Sequence, residues 1–141
     1  MTTINVQLSN GGKVPSRQTA GSVGHDLYSN EEYHLQPGER KLIGTGVQLD
    51  TGRNDLLCLI KPRSSLAVRG IDVGAGVGDA DYTGEYKVLL INNSNKVFHV
   101  QVGDRIAQMI FVQVVQPTFN VVDEVTHTVR GVGGFGSTGT N

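Results

Sequence analysis

The chain has 141 residues, 38% of them hydrophobic and 6% aromatic with no tryptophan, which fits a single domain with a small aliphatic core. Twelve Lys and Arg against 13 Asp and Glu leave a net charge of -1 without any run of like charge, which excludes the basic stripe that strong nucleic-acid binding needs. No stretch reaches 18 apolar residues, MTTINVQLSN lacks the basic and apolar regions of a signal peptide, and Cys58 is the one cysteine. A protein without a membrane span, in the cytoplasm or nucleus, is therefore expected.

In chain order, period-two or β-branched apolar runs predict strands at residues 4–8, 42–49, 56–60, 86–91, 97–102, 106–115 and 121–125. Turn signals separate them at Asn10-Gly11-Gly12, Pro37-Gly38, Asp50-Thr51-Gly52, Asn92-Asn93-Ser94-Asn95 and Val102-Gly103-Asp104. A helical turn is expected only over residues 64–69, with Ser64 as N-cap and Gly70 ending it. Cys58, inside LLCLI, reads as a small buried core residue. The fold class is all-β, an antiparallel distorted barrel or double-sheet jelly roll with one short helix. Residues 1–129 form the barrel, and from Gly131 the sequence GVGGFGSTGTN has too few apolar residues for a packed strand, so residues 130–141 form a mobile tail.

Several segments carry candidate chemistry. In PRSSLAVRG, the start of the helical turn offers free N–H groups, Arg63 a charge-assisted fork, and Ser64 a hydroxyl, which together make a phosphate cradle; an ordinary capped turn with a surface Arg is the alternative. In GVGDADYTGEY, Asp79 and Asp81 stand two apart and would share one face of an extended strand, so that one carboxylate can serve a water as base, unless both are plain turn residues. Tyr82 presents a flat face beside a glycine-framed hairpin. In GDRIAQMI, Ile106, Met109 and Phe111 read as packing, Gln108 stands out as polar, and Asp104 and Arg105 can pair. His25 reads as a surface residue, and four scattered His without ligand spacing speak against a structural zinc site. The tail RGVGGFGSTG lacks the GK[ST] of a P-loop and its flanking strand and helix. It offers instead Arg130 for phosphate charge, Phe135 for stacking and the N–H groups of Gly136, Ser137 and Thr138 as a phosphate cradle.

Five segments in order, AGSVGHDLYS, PRSSLAVRG, GVGDADYTGEY, GDRIAQMI and RGVGGFGSTG, resemble the deoxyuridine triphosphatase family over nearly the whole chain. The resemblance implies hydrolysis of dUTP to dUMP and pyrophosphate with Mg²⁺, which limits uracil in DNA and supplies dUMP for thymidylate synthesis. It implies a homotrimer with shared active sites. It assigns the base role to Asp79, phosphate contacts to Arg63, Ser64, Ser65 and Gln108, the deoxyribose to Tyr82, and uracil to the main chain around Gly76 and Lys87. Asp26 falls near the water shell of the metal, contributed from a neighbouring subunit, Asp81 ties the hairpin, and the tail becomes a lid over bound nucleotide. Two departures stand out: Ser65 replaces a usual Gly, and Gly78 replaces a bulky aliphatic residue that would support Asp79. A dCTP deaminase shares the implied fold, and a weakly catalytic nucleotide-binding regulator would tolerate both departures; the intact tail speaks against the first.

Overall fold

The computed structural model describes residues 2–141. Eleven strands and one helical turn follow in order: β1 (Asn5–Leu8), β2 (His25–Tyr28), β3 (Tyr33–Leu35), β4 (Arg40–Ile43), β5 (Val47–Asp50), β6 (Leu56–Lys61), α1 (Ser64–Ala67), β7 (Ile71–Gly74), β8 (Val77–Gly78), β9 (Val88–Asn92), β10 (Phe98–Val100) and β11 (Arg105–Gln113). All pairings are antiparallel, and they group as β1-β5, β10-β3, β2-β11-β6-β8 and β4-β9-β7. The architecture is the expected all-β jelly roll with one short helix. Among the described residues no helix is long and apolar enough to cross a membrane.

Period-two alternation sets the core. In β6, Leu56, Cys58 and Ile60 point inward while Leu57 and Leu59 are half-buried; in β9, Val88, Leu90 and Asn92 point inward. Cys58, Ile60, Val88 and Leu90 join Leu27, Leu35, Ile43, Val47, Ile71, Ile106 and Met109 in one mostly aliphatic cluster. Burial pushes the Cys58 thiol up to about 12, so it packs as a small apolar group and supplies no thiolate.

Several expectations fail locally. The run 42–49 is two strands, because Gly44-Thr45-Gly46 breaks it. Gly46 has φ +69, and a Cβ there would lie 2.1 Å from the Ser9 carbonyl oxygen, a crossing only glycine permits. Residues 121–125 form no strand and are exposed throughout; the last strand ends at Gln113. The helix is a single turn whose N-cap is Arg63, without a side-chain capping bond, so Ser64 lies inside the turn instead of capping it. Four strands at residues 25–28, 33–35, 71–74 and 77–78 were not predicted; they are two to four residues long, shorter than a periodic pattern needs to be visible.

The fully buried Asn92 ties the end of β3 to the loop between β9 and β10. Its Nδ2 donates to the Leu35 and Lys96 carbonyls at 2.9 and 2.8 Å, and its Oδ1 accepts from the Ser94 N–H and hydroxyl at 3.0 and 2.6 Å. Removing this amide takes four hydrogen bonds from a buried site; the Ser94 hydroxyl and the Lys96 carbonyl keep each other at 3.1 Å, while the Leu35 carbonyl and the Ser94 N–H lose the amide as partner. Asn92→Ala is therefore expected to lower the unfolding free energy by about 1–3 kcal/mol or more, read as a shifted midpoint in urea denaturation.

Candidate active site

Strand β11 lies between β2 and β6, so Gln108 has Asp26 as its cross-strand partner on one side and Lys61 on the other. Two residues beyond Lys61, the chain leaves β6 and turns into α1 at Arg63. Arg63 Nε sits 3.2 Å from Asp26 Oδ1. Gln18 Nε2 donates to Asp26 Oδ2 at 2.9 Å, and Gln108 Nε2 donates to the Pro62 carbonyl at 3.0 Å. Together with Ser22, Gly24, Ser64 and Ser65, these residues line a cavity of about 330 Å³. Gly24 is part of its construction, because a Cβ there would fall 2.0 Å from Gln108 Oε1.

The predicted Asp104–Arg105 pair does not form. Asp104 accepts from the Gln101 N–H at 2.9 Å, while an Arg105 guanidinium nitrogen lies 3.7 Å from Asp26 Oδ2. The reason is a bulge: the β11–β2 register shifts between Arg105 and Ala107, which locally redirects the strand at its start. Asp26 is thus 7% exposed between two guanidinium groups. Arg63 in the lining and Arg105 beside it outnumber the one carboxylate, and the Ser64 and Ser65 hydroxyls have no partner among the described residues, a chemistry suited to an anion.

A second cavity, of about 470 Å³, is lined by Leu42, Ile60, Gly76, Gly78, Asp79, Tyr82, Glu85, Tyr86 and Lys87. Asp79 and Asp81 lie on a turn closed by the Tyr82 N–H to the Asp79 carbonyl at 3.0 Å, so the expected shared face of a strand is not formed. Gly76, at φ +92, approaches Ile60 so closely that a Cβ would meet its carbonyl oxygen at 2.6 Å. The Tyr82 hydroxyl donates to the Glu85 carbonyl at 2.9 Å, which fixes its ring edge-on to Tyr86 with centroids 5.2 Å apart. A flat half-exposed ring, backbone turns without Cβ atoms and a carboxylate at the rim can hold a planar heterocycle with its sugar.

Tyr86 was not singled out from the sequence, and it accounts for Gly78. A Cβ at Gly78 would lie 2.6 Å from Tyr86 Cε1 and 2.8 Å from its hydroxyl. The ring therefore occupies the space that an aliphatic side chain at position 78 would fill, and it backs the turn bearing Asp79. Tyr86 is buried and its hydroxyl has no partner among the described residues; burial first, then nearby Cys58, raises its pKa far above the ordinary tyrosine value.

The remaining candidates stand apart. Arg130 Nε bonds the Gly133 carbonyl at 2.8 Å, and Phe135, Gly136, Ser137 and Thr138 are exposed. Beyond Gln116 no hydrogen bond among the described residues joins this arm to the barrel. His25 is half-buried instead of lying wholly on the surface: its Nδ1 is buried without a partner among the described residues, its ring meets Phe111 edge-on at 6.1 Å, and burial, then Arg17, lowers its pKa. It lines an apolar cavity of about 510 Å³ with Met109, Leu49 and Leu56, which holds none of the candidate chemistry.

The chain is similar to known proteins in both sequence and fold. The sequence model of the dUTPase family matches residues 10–139. A deoxyuridine 5'-triphosphate nucleotidohydrolase of cowpox virus is 45% identical over 136 residues, spanning 95% of this chain and 90% of the relative. A monkeypox virus enzyme of the same name is also 45% identical, over 95% of this chain and 88% of its own. Among solved structures, the dUTPase of Staphylococcus bacteriophage 80alpha with dUPNHPP superposes with a TM-score of 0.93 at 25% identity, covering 99% of this chain and all of the other. A mutant dUTPase from S. aureus phage phi11, solved with a structural Mg(II) ion, shares the fold with a TM-score of 0.82 at 22% identity, over 89% and 99% of the two chains.

The exchange of volume between positions 78 and 86 is directly testable. Gly78→Ile alone is expected to cost about 1–3 kcal/mol by overpacking, whereas Gly78→Ile combined with Tyr86→Val recovers most of that loss in denaturant unfolding. Equal stability of the single variant and the parent would show that the ring does not fill this space.

Proposed function

The chain belongs to the dUTPase family, and we propose that each active site is assembled from separate surfaces of a homotrimer, with Asp79 as the base that orients the attacking water. The chain is a dUTP diphosphatase: it hydrolyses dUTP to dUMP and pyrophosphate. The observation that carries the shared site is separation. The anion cavity around Arg63 and the cavity holding Asp79 and Tyr82 have no lining residue in common, and the tail touches neither. A triphosphate bound to one surface needs the others brought to it.

Further support comes from the arm. Val115, Phe119, Val121 and Val125 are 78–96% exposed, an apolar series that a second protein surface would cover. In the proposed assembly, Arg63, Ser64, Ser65 and Gln108 of one chain bind phosphates, and a second chain supplies Asp79 and the base pocket. A third supplies Arg130, Phe135 and the N–H groups of Gly136, Ser137 and Thr138 as a lid. Ser65 retains its backbone N–H for this task despite replacing the usual glycine. Uracil meets the main chain around Gly76 and Lys87, and the deoxyribose packs on Tyr82.

In the reaction, the water oxygen bonds to the α-phosphorus as its proton passes to the Asp79 carboxylate. The bond to the bridging oxygen then breaks and pyrophosphate leaves. Arg63 and Arg130 offset charge along the phosphate chain. Mg²⁺, when bound, neutralises phosphate oxygens. The donor set fits an ion held by phosphates and water: Asp26 is the one carboxylate lining the anion cavity, and its oxygens already serve Arg63 and Gln18, leaving lone pairs for water and no cage. The expected compartment is the cytoplasm or nucleus.

Asp79→Asn is expected to lower kcat by roughly 10²- to 10⁴-fold while dUTP affinity, measured calorimetrically, stays close to the parent; rapid turnover by this variant would remove Asp79 from the base role. The parent is expected to release pyrophosphate from dUTP and not from UTP, dTTP or dCTP, and to run as a trimer by light scattering. Phe135→Ala is expected to weaken nucleotide binding by about 1–3 kcal/mol, the worth of one base–aromatic stack, with the trimer mass unchanged.

A further inference from the structure

Strands β3 and β10 form a two-stranded ribbon in which His34 and His99 are direct cross-strand partners. Alternation buries Leu35, Phe98 and Val100 in the core and turns both imidazoles to solvent. The rings lie 4.1 Å apart and 11° from parallel, and His99 Nε2 is 2.8 Å from Glu32 Oε1. One ligand atom from each of Glu32, His34 and His99 lies within 4.8 Å of the other two. The histidines are 65 positions apart, so no ligand spacing is visible along the chain; the strand register alone brings them together.

We propose that Glu32, His34 and His99 form a surface site for a divalent transition-metal ion of the zinc class. Two imidazole nitrogens and one carboxylate oxygen suit Zn²⁺, Cu²⁺ or Ni²⁺, whereas Mg²⁺ and Ca²⁺ favour all-oxygen shells. With bonds of about 2.1 Å, neighbouring ligands of a tetrahedral ion stand about 3.4 Å apart. His99 and Glu32, now 2.8 Å apart, therefore open by about half an ångström, while His34, whose ligand atom lies within 4.8 Å of theirs, shifts to meet them at that spacing. The nitrogen lone pairs lie in the ring planes, so the imidazoles tilt out of their stack to converge. Exposed side chains make this adjustment by rotation, while the buried Leu35, Phe98 and Val100 hold the backbone register. Water completes the shell. None of the three residues lines the cavity of Arg63 or that of Asp79, so the ion is independent of the nucleotide chemistry. Its physical effect is to tie β3 to β10, stabilising the folded chain by mass action.

The test is titration of the intact chain with Zn²⁺, without nucleotide or Mg²⁺, by calorimetry and thermal unfolding. One ion per chain with micromolar affinity and a rise in Tm is expected. The double variant His34→Asn/His99→Asn is expected to lose at least tenfold in that affinity and the Tm rise, to keep the metal-free Tm of the parent, and to hydrolyse dUTP at the parent rate. Cu²⁺ bound to the parent should show electron-spin coupling to two imidazole nitrogens. Absence of saturable Zn²⁺ uptake by the parent, unchanged affinity in the double variant, or a copper spectrum without nitrogen coupling overturns the site.

Discussion

Strand β11 is hydrogen-bonded on both edges, to β2 over Arg105–Met109 and to β6 over Gln108–Gln113, and the anion cavity depends on that double pairing. It sets Gln108 beside Asp26, delivers Arg63 from the end of β6, and through one bulge positions Arg105 as a second cation for the same carboxylate. Because side chains alternate along a strand, a one-residue slip of β11 would bury Gln108 and expose Met109. The buried Ile106, Ala107 and Met109 make such a slip costly. Core packing thereby fixes the polar geometry of the site.

The cavity holding Asp79 and Tyr82 is governed differently. It is made by a turn and by missing side chains, with Gly76 against Ile60 and Gly78 against Tyr86. The polar groups that the glycines uncover there belong to the backbone, which no rotamer can misplace, and the Tyr86 ring fills the space beside Gly78. The buried, unpartnered Tyr86 hydroxyl is a cost of that arrangement. A valine would fill less of the space, and an aliphatic pair would fill it without a buried hydroxyl.

Much of this was legible in the sequence, for identifiable reasons. The β-branched runs marked β6, β9 and β11, and the glycine-framed segments marked where backbone approaches backbone. What failed was everything fixed by pairing between distant strands. Asp104 and Arg105 are neighbours in sequence, yet Arg105 turns to Asp26 because of a bulge that no local pattern encodes. His25 looked like a surface residue because its apolar neighbours, Met109 and Phe111, lie on another strand. Residues 121–125 carry a strand-like pattern without a strand, since periodicity reports that a segment can pair and says nothing about whether its own chain offers an edge.

In the assembly proposed above, the free arm between the barrel and the tail has a kinetic meaning. Residues 117–129, at about 3.3 Å each when extended, can span roughly 40 Å, so in the proposed trimer a tail tethered to one subunit samples a small volume around its neighbours. Closure over nucleotide then becomes a unimolecular event at a local concentration in the millimolar range. Its frequency is set by the length and stiffness of the tether and is indifferent to how dilute the enzyme is once assembled. If the tail is the proposed lid, shortening or stiffening residues 117–129 would act as a clock adjustment on turnover, altering how often it arrives without altering any group that touches the substrate.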